Sequence, residues 1–207
     1  RARTQLHAVL ALAPGHLETL IRLSSLYLRT GDRGRAMALC ERGLAAHPGA
    51  AETSKLYHTL GSIHLAEKRP AEARGALERA VDLDPGLAGA WNLLGYVHAV
   101  SGDLAASQAA YTRAVEADAG FAEGRFNLGN VSQLTGDLPA ARRHYLGALA
   151  ADSSYTRARL ALGNLYVELD SLGAAAASYR LFLRDWRGDP EGADMARAAL
   201  EELGERP

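Results

Sequence analysis

The sequence predicts an all-α protein, an α-solenoid of stacked antiparallel helical hairpins. Three observations carry that prediction. A Leu-Gly pair recurs every 34 residues, at Leu60-Gly61, Leu94-Gly95, Leu128-Gly129 and Leu162-Gly163. A fixed period of this length marks units that bury their apolar faces only by stacking on their neighbours. With the glycine taken as position 8, small residues fill position 20 (Ala36, Ala73, Ser107, Ala141, Ala175) and most of position 27 (Gly43, Ala80, Ala114, Ala148, then Phe182). They let helix axes approach closely, while position 24 (Cys40, Leu77, Tyr111, Tyr145, Tyr179) fills the space between hairpins. The turns Thr30-Gly31-Asp32, Ser101-Gly102-Asp103 and Thr135-Gly136-Asp137 separate the two helices of a unit.

In chain order, residues 1–16 read as the second helix of a truncated preceding repeat, with Ala2, Leu6 and Val9 at positions 20, 24 and 27 and Pro14 at 32. Five repeats follow at 17–50, 54–87, 88–121, 122–155 and 156–189, with three extra residues, 51–53, after the first. Their helix pairs are expected near 17–30/33–46, 54–67/70–82, 88–101/104–117, 122–135/138–151 and 156–169/172–185. Asp103, Asp137 and Ser171 stand where an N-cap is needed, and Pro70 suits a first helical turn. Pro48 and Pro85, both at position 32, stop the second helices. Alanine runs such as Ala174-Ala175-Ala176-Ala177 favour helix. Pro190 opens a closing helix within 190–207, whose outer face carries Glu191, Asp194, Arg197, Glu201, Glu202 and Glu205. A polar closing helix covers the apolar face that a last hairpin would expose. The whole of 1–207 thus reads as one array. Its opening inside a hairpin, without methionine, suggests an excised fragment, and its C-terminus a true end.

Two segments carry a family resemblance. Ala88-Gly89-Ala90-Trp91-Asn92-Leu93-Leu94-Gly95 has tryptophan at position 4, and Ala122-Glu123-Gly124-Arg125-Phe126-Asn127-Leu128-Gly129-Asn130 has an Asn-Leu-Gly-Asn core. Over nearly its whole length the chain resembles the tetratricopeptide repeat (TPR) family, which implies a right-handed superhelix. The first repeat departs from the pattern, with Ser24 for glycine at position 8 and Cys40 for an aromatic at 24.

Composition narrows the function. With 23 basic and 24 acidic residues, a net charge of −1 and no charge run, the chain lacks the clustered cations that phosphate backbones require. Nucleic acid is therefore not expected as a partner, and the Asn-Leu-Gly-Asn core sets the chain apart from RNA-reading pentatricopeptide arrays of similar period. No apolar run reaches membrane length, so direct insertion is not expected. Arginine far exceeds lysine (only Lys55 and Lys68), and alanine and glycine abound, as in a GC-rich, bacterial genome. Cys40, the sole cysteine, is expected to fill the core. The seven histidines contain no i, i+4 pair of the kind a helical zinc site uses. No phosphate loop, nucleophile elbow or HExxH motif is present. Arg187-Gly188-Asp189 and the sequon Asn130-Val131-Ser132 are explained by a turn and a helix interior. No enzyme activity, cofactor or metal is expected.

What remains is a surface. The resemblance implies that the first helix of each hairpin lines a concave groove, which places Arg22, Lys55, His58, Asn92, Tyr96, Phe126, Asn127, Asn130, Arg157 and Asn164 there. Asparagine both donates and accepts, so Asn127, Asn130 and Asn164 suit the backbone of an extended peptide. Phe126 and Tyr96 suit apolar anchors, and Arg22, Lys55 and Arg157 suit acidic groups. Asn127 and Asn130 also belong to the general TPR pattern and can equally tie hairpins together; both roles stay open here. The carboxylate clamp of chaperone-binding TPR domains is matched outright only by Asn127, with Arg157 a partial substitute, so that sub-type is not expected. The expectation is a non-catalytic scaffold holding an extended partner segment, within a larger chain or assembly. Two alternatives stand beside it: the substrate-recruiting arm of an enzyme, and a scaffold that self-associates through residues 1–12.

Overall fold

The structure, a computed structural model, describes residues 2–204, with side chains from residue 3. The expected packing of Ala2 and the outer-face position of Glu205 lie outside the described residues. Among those residues the fold is all-α, with twelve α-helices, one 3-10 turn at Ala51–Thr53 and no strand. In order they are α1 (Ala2–Leu12), α2 (Leu17–Arg29), α3 (Arg33–Ala46), α4 (Ser54–Ala66), α5 (Pro70–Leu83) and α6 (Ala88–Val100). There follow α7 (Leu104–Ala117), α8 (Ala122–Leu134), α9 (Leu138–Ala151), α10 (Thr156–Glu168), α11 (Leu172–Asp185) and α12 (Pro190–Glu202). Each expected hairpin helix ends within a residue of its observed boundary. The chain divides into two compact units, Arg1–Asp103 and Leu104–Pro207.

Within the first unit α2 pairs with α3 and α4 with α5, while the first helices α2, α4 and α6 lie in succession against one another. Leu20, Leu23, Tyr27, Ala36 and Ile63 form its main core with Leu10 of α1. In the second unit Tyr145 packs with Leu162 and Leu165 of the following hairpin, and Phe182 with Ala196 and Leu200 of α12. Each of these clusters thus joins a hairpin to the hairpin or single helix beside it, which is how a repeat too small for its own core becomes stable.

Position 24 does what its size predicts, and position 8 shows the reason. A methyl added at Gly61 would sit 2.6 Å from Leu77 Cγ, and at Gly129 or Gly163 it would run into the ring of Tyr145 or Tyr179. The missing Cβ is the space in which the larger side chain lies. In the first repeat the sizes are exchanged: Ser24 and Cys40 are both fully buried, and the thiol touches the serine hydroxyl. Burial pushes the Cys40 thiol up to about 11, so it is protonated and inert at neutral pH.

Position 4 carries a second repeating device. Trp91 Nε1 donates to Pro85 O at 2.9 Å, Arg125 Nη2 to Ala119 O at 3.1 Å and Arg159 Nη2 to Ser153 O at 3.1 Å. Each side chain reaches back six residues to a loop carbonyl, so arginine replaces tryptophan without loss of the bond. Asp84, Asp118 and Asp152 at position 31 accept from the backbone N–H two residues on, at 3.0, 2.8 and 2.8 Å, which turns the chain toward the next helix. Arg159 also pairs with Asp185, whose carboxyl is held at about 2 chiefly by its hydrogen bond from Arg184.

Two local expectations are corrected. Ser171 does not cap α11; its hydroxyl turns back to Leu169 O at 3.3 Å. Asp32, Asp137 and Asp189 do cap, accepting from the N–H three residues on, and His16 Nδ1 caps α2 in the same way. In α1, Val9 is 39% exposed at a shallow cleft beside Arg22, Leu26 and Arg29 of α2, and Leu10 takes the buried place.

The turns between paired helices need a left-handed residue, and glycine supplies it at Gly31, Gly102 and Gly136 (φ +83°, +81° and +82°). Lys68 and Asp170 take the same role at φ 59° and 52°. Replacing Lys68→Gly should therefore stabilise the protein by roughly 0.5–1 kcal/mol. A thermal melt no higher than the parent's would refute this.

Candidate functional site

In the second unit, helix spacing brings four of the expected residues to one face, together with Leu160. Phe126 and Asn130, four apart on α8, and Arg157, Leu160 and Asn164 on α10 line an open cleft of about 470 Å³. Its far wall is Trp186, in the link after α11, with Gly192 and Met195 of α12.

The amides are oriented from behind. Tyr145 Oη donates to Asn130 Oδ1 at 2.9 Å and Gln133 Oε1 at 2.8 Å, sharing one hydrogen, and Tyr179 Oη donates to Asn164 Oδ1 at 2.8 Å. Burial pushes both phenols up, Tyr145 to about 12 with Glu168 adding to it, so each remains a donor. With their carbonyls so engaged, Asn130 and Asn164 keep their NH₂ groups as the hydrogen-bonding ends available to the cleft. Gln133 spends its own NH₂ on Glu168 Oε1 at 2.6 Å. The α8 and α10 side of the cleft is thus donor-rich, with two amide NH₂ groups and the Arg157 guanidinium as a match for carbonyl and carboxylate oxygens, while the acidic Asp189 and Glu191 line it at the start of α12.

The apolar side is held equally firmly. Trp186 stacks on Phe182 with centroids 4.9 Å apart and donates Nε1–H to Asp189 O at 2.8 Å. Its ring lies so close to Gly188 and Gly192 that a Cβ at Gly188 would overlap it and one at Gly192 would stand 3.1 Å away. Phe126 is set between Tyr145 and Tyr155, at 5.7 and 5.4 Å. Met195, 57% exposed, forms the rim.

The remaining candidates fall elsewhere. Asn127 is half-buried, lies outside this cleft and is engaged within the protein. Arg22 and Lys55 meet in the first unit at a cleft of about 410 Å³, where Arg22 Nε donates to Glu18 Oε1 at 2.5 Å and Arg29 stands close by. His58 is half-buried against α6: a Cβ at Gly89 would be 3.3 Å from its Nε2, and burial pushes the imidazole down. Asn92 is 4% exposed and bonded inside the protein, leaving it little surface for a ligand, whereas Tyr96 is 49% exposed.

Sequence reasoning missed Trp186, Gly192 and Met195, because α12 read as a polar closing helix. A signal was present: an aromatic followed by glycines two and six residues on needs those residues bare. It also missed that position 24 tyrosines orient position 9 asparagines. Among the described residues no group of three or more His, Cys, Asp or Glu is placed to hold a metal ion, and no helix is long and apolar enough to cross a membrane.

Comparison with known proteins is consistent along the chain. One tetratricopeptide repeat family model matches residues 58–120, 92–155 and 134–190, and a second matches 1–58. No curated protein matches. Among solved structures, a chain of the APC/C hetero-tetramer Cut9-Hcn1 is similar at TM-score 0.84 and 17% identity, over 96% of this chain and 39% of that one. PilF of Pseudomonas aeruginosa is similar at TM-score 0.76 and 17% identity, over 98% and 94% of the two chains. YrrB, described as a TPR protein with an unusual peptide-binding site, is similar at TM-score 0.67 and 19% identity, over 93% and 97%. At these identities the likeness is one of fold.

Proposed function

The chain belongs to the tetratricopeptide repeat family, whose fold generally mediates protein–protein interaction, and from that premise we propose that it is a non-catalytic module holding an extended segment of a partner protein in the cleft between α8, α10 and α12. The observation that carries this reading is the pair of tyrosine-oriented amides facing the cleft beside fixed apolar walls. Asn130 and Asn164 donate to backbone carbonyls of the segment, Arg157 to a carboxylate, and Leu160, Trp186 and Met195 receive one apolar side chain. Orientation in advance of binding lowers the cost of ordering the site. The peptide-binding site named for YrrB supports the assignment by analogy of fold.

The test selects binders from a displayed random-peptide library and measures them by calorimetry. Each amide hydrogen bond contributes about 1 kcal/mol net, so Asn130→Ala/Asn164→Ala should weaken binding about 30-fold. The melting temperature should fall modestly, because the Tyr179 hydroxyl loses its Asn164 acceptor, so affinities are compared well below both melts. Tyr145→Phe, which keeps the amide but frees its orientation, should lose less. Unchanged affinity in the double variant would place the working surface elsewhere.

A further inference from the structure

We propose that a second cleft, formed by α1, α2 and α3 in the first unit, binds a phosphorylated side chain of a partner protein. This site is separate from the peptide cleft and stands or falls without it. Arg3 and His7, four residues apart on α1, face Tyr27 of α2 and Arg35 of α3 across about 570 Å³, with Ala38 and Leu39 as the apolar border. None of these lining residues is acidic. Tyr27 lies on a different side of α2 from Arg22, about 140° round the helix, so this cleft and the one where Arg22 meets Lys55 do not share a face.

Three of these groups, His7, Tyr27 and Arg35, contact one another before any ligand arrives. Tyr27 is 5% exposed, and its hydroxyl lies 2.8 Å from His7 Nε2, with the rings edge-on at 6.0 Å. In the tautomer with the proton on Nε2, His7 donates to Tyr27 and turns the phenolic O–H outward as a donor. The Arg35 guanidinium lies over the Tyr27 ring, Cζ 5.5 Å from its centroid. Its Nη1 reaches Asp32 Oδ2 at 3.3 Å, yet the side chain stays 68% exposed, so Asp32 competes for the cation without hiding it.

Two guanidinium groups and the phenol, which His7 orients, offer more donors than the two oxygens of a carboxylate use. A phosphate monoester, with three oxygens and nearly twice the charge, matches them better. A nucleotide fits poorly, because Arg35 and the core cover the ring of Tyr27 and leave no face for a base to stack on. The cleft is also far larger than a phosphate group, which leaves room for the residues on either side of a phosphorylated one.

The test is a ¹H–¹⁵N NMR titration of the whole chain with three probes: N-acetyl-phosphoserine amide, N-acetyl-glutamate amide and inorganic phosphate. Shifts should concentrate on α1–α3 and on the Arg3 and Arg35 side chains, with the phosphoserine probe binding about tenfold more tightly than the glutamate probe. Arg3→Gln, at an exposed position, should weaken it several-fold without altering the melt, and Arg35→Gln should do the same. Asp32→Asn keeps the α3 cap and removes the competing charge, so it should tighten binding, an effect that a purely structural role for Arg35 would not produce. Equal binding of the glutamate probe would make this a carboxylate site. Equal binding of inorganic phosphate would make it a free-anion site. No shifts in α1–α3 would remove the site. Each of these outcomes overturns the proposal, and none bears on the cleft between α8, α10 and α12.

Discussion

Cys40→Tyr is expected to destabilise the first unit by about 1–3 kcal/mol, the usual cost of forcing volume into a packed core, and the added change Ser24→Gly is expected to recover most of it. Both positions are fully buried and in contact, so a ring at 40 has no space while Ser24 keeps its side chain. The later repeats show the alternative solution, Gly129 beneath Tyr145 and Gly163 beneath Tyr179. In the double variant Ser25 at position 9 gives the new phenol an acceptor, as Asn130 and Asn164 do for theirs. Ser24→Gly alone should also destabilise, by leaving a cavity and adding a glycine to α2. Thermal melts of the four proteins form a double-mutant cycle, and contacting sites should couple strongly. If the double variant is no more stable than Cys40→Tyr, the two positions are independent and the exchange of sizes is coincidental.

That pair shows what a single sequence does and does not disclose. The period, the helix limits and the glycines at position 8 were readable because each rests on local constraints: helical spacing, left-handed turns, capping and the bulk of one side chain. Ser24 and Cys40 read as two separate departures from a pattern, and only their contact makes them one compensated change. The cleft was readable to the same extent. Phe126, Asn130, Arg157 and Asn164 share a face because positions three and four apart on a helix must. Trp186 and Met195 join them through the path of the chain after α11, which no periodicity encodes. Asn92 and Asn130 look alike as polar residues of first helices, yet one is buried and the other lines a cleft, a difference made by neighbouring helices. The cleft of Arg3, His7, Tyr27 and Arg35 draws on three helices at once and carries no motif.

The same local logic makes a sharp prediction about glycine itself. Gly163→Ala should destabilise the second unit by about 1–2 kcal/mol, even though alanine is the better helix former by about 1 kcal/mol. The added methyl would meet the ring of Tyr179, which is 2% exposed and tied through its hydroxyl to Asn164, so the ring cannot swing aside cheaply. Gly75→Ala is the control. It lies inside α5, and an added Cβ there meets nothing within 4 Å, so only the propensity gain of up to about 1 kcal/mol remains and the variant should melt higher. The two substitutions are chemically identical and differ only in what lies over the glycine; opposite signs are therefore the expected result, read by calorimetry. The first variant should also lose peptide affinity, although residue 163 does not line the cleft, because displacing Tyr179 releases the Asn164 carbonyl and with it the direction of the NH₂ group. Equal signs for the two melts would mean that helix propensity, not the ring at position 24, decides the residue at position 8. A destabilised Gly163→Ala that binds peptide at full strength would instead separate the packing role of Tyr179 from the orienting role assigned to it.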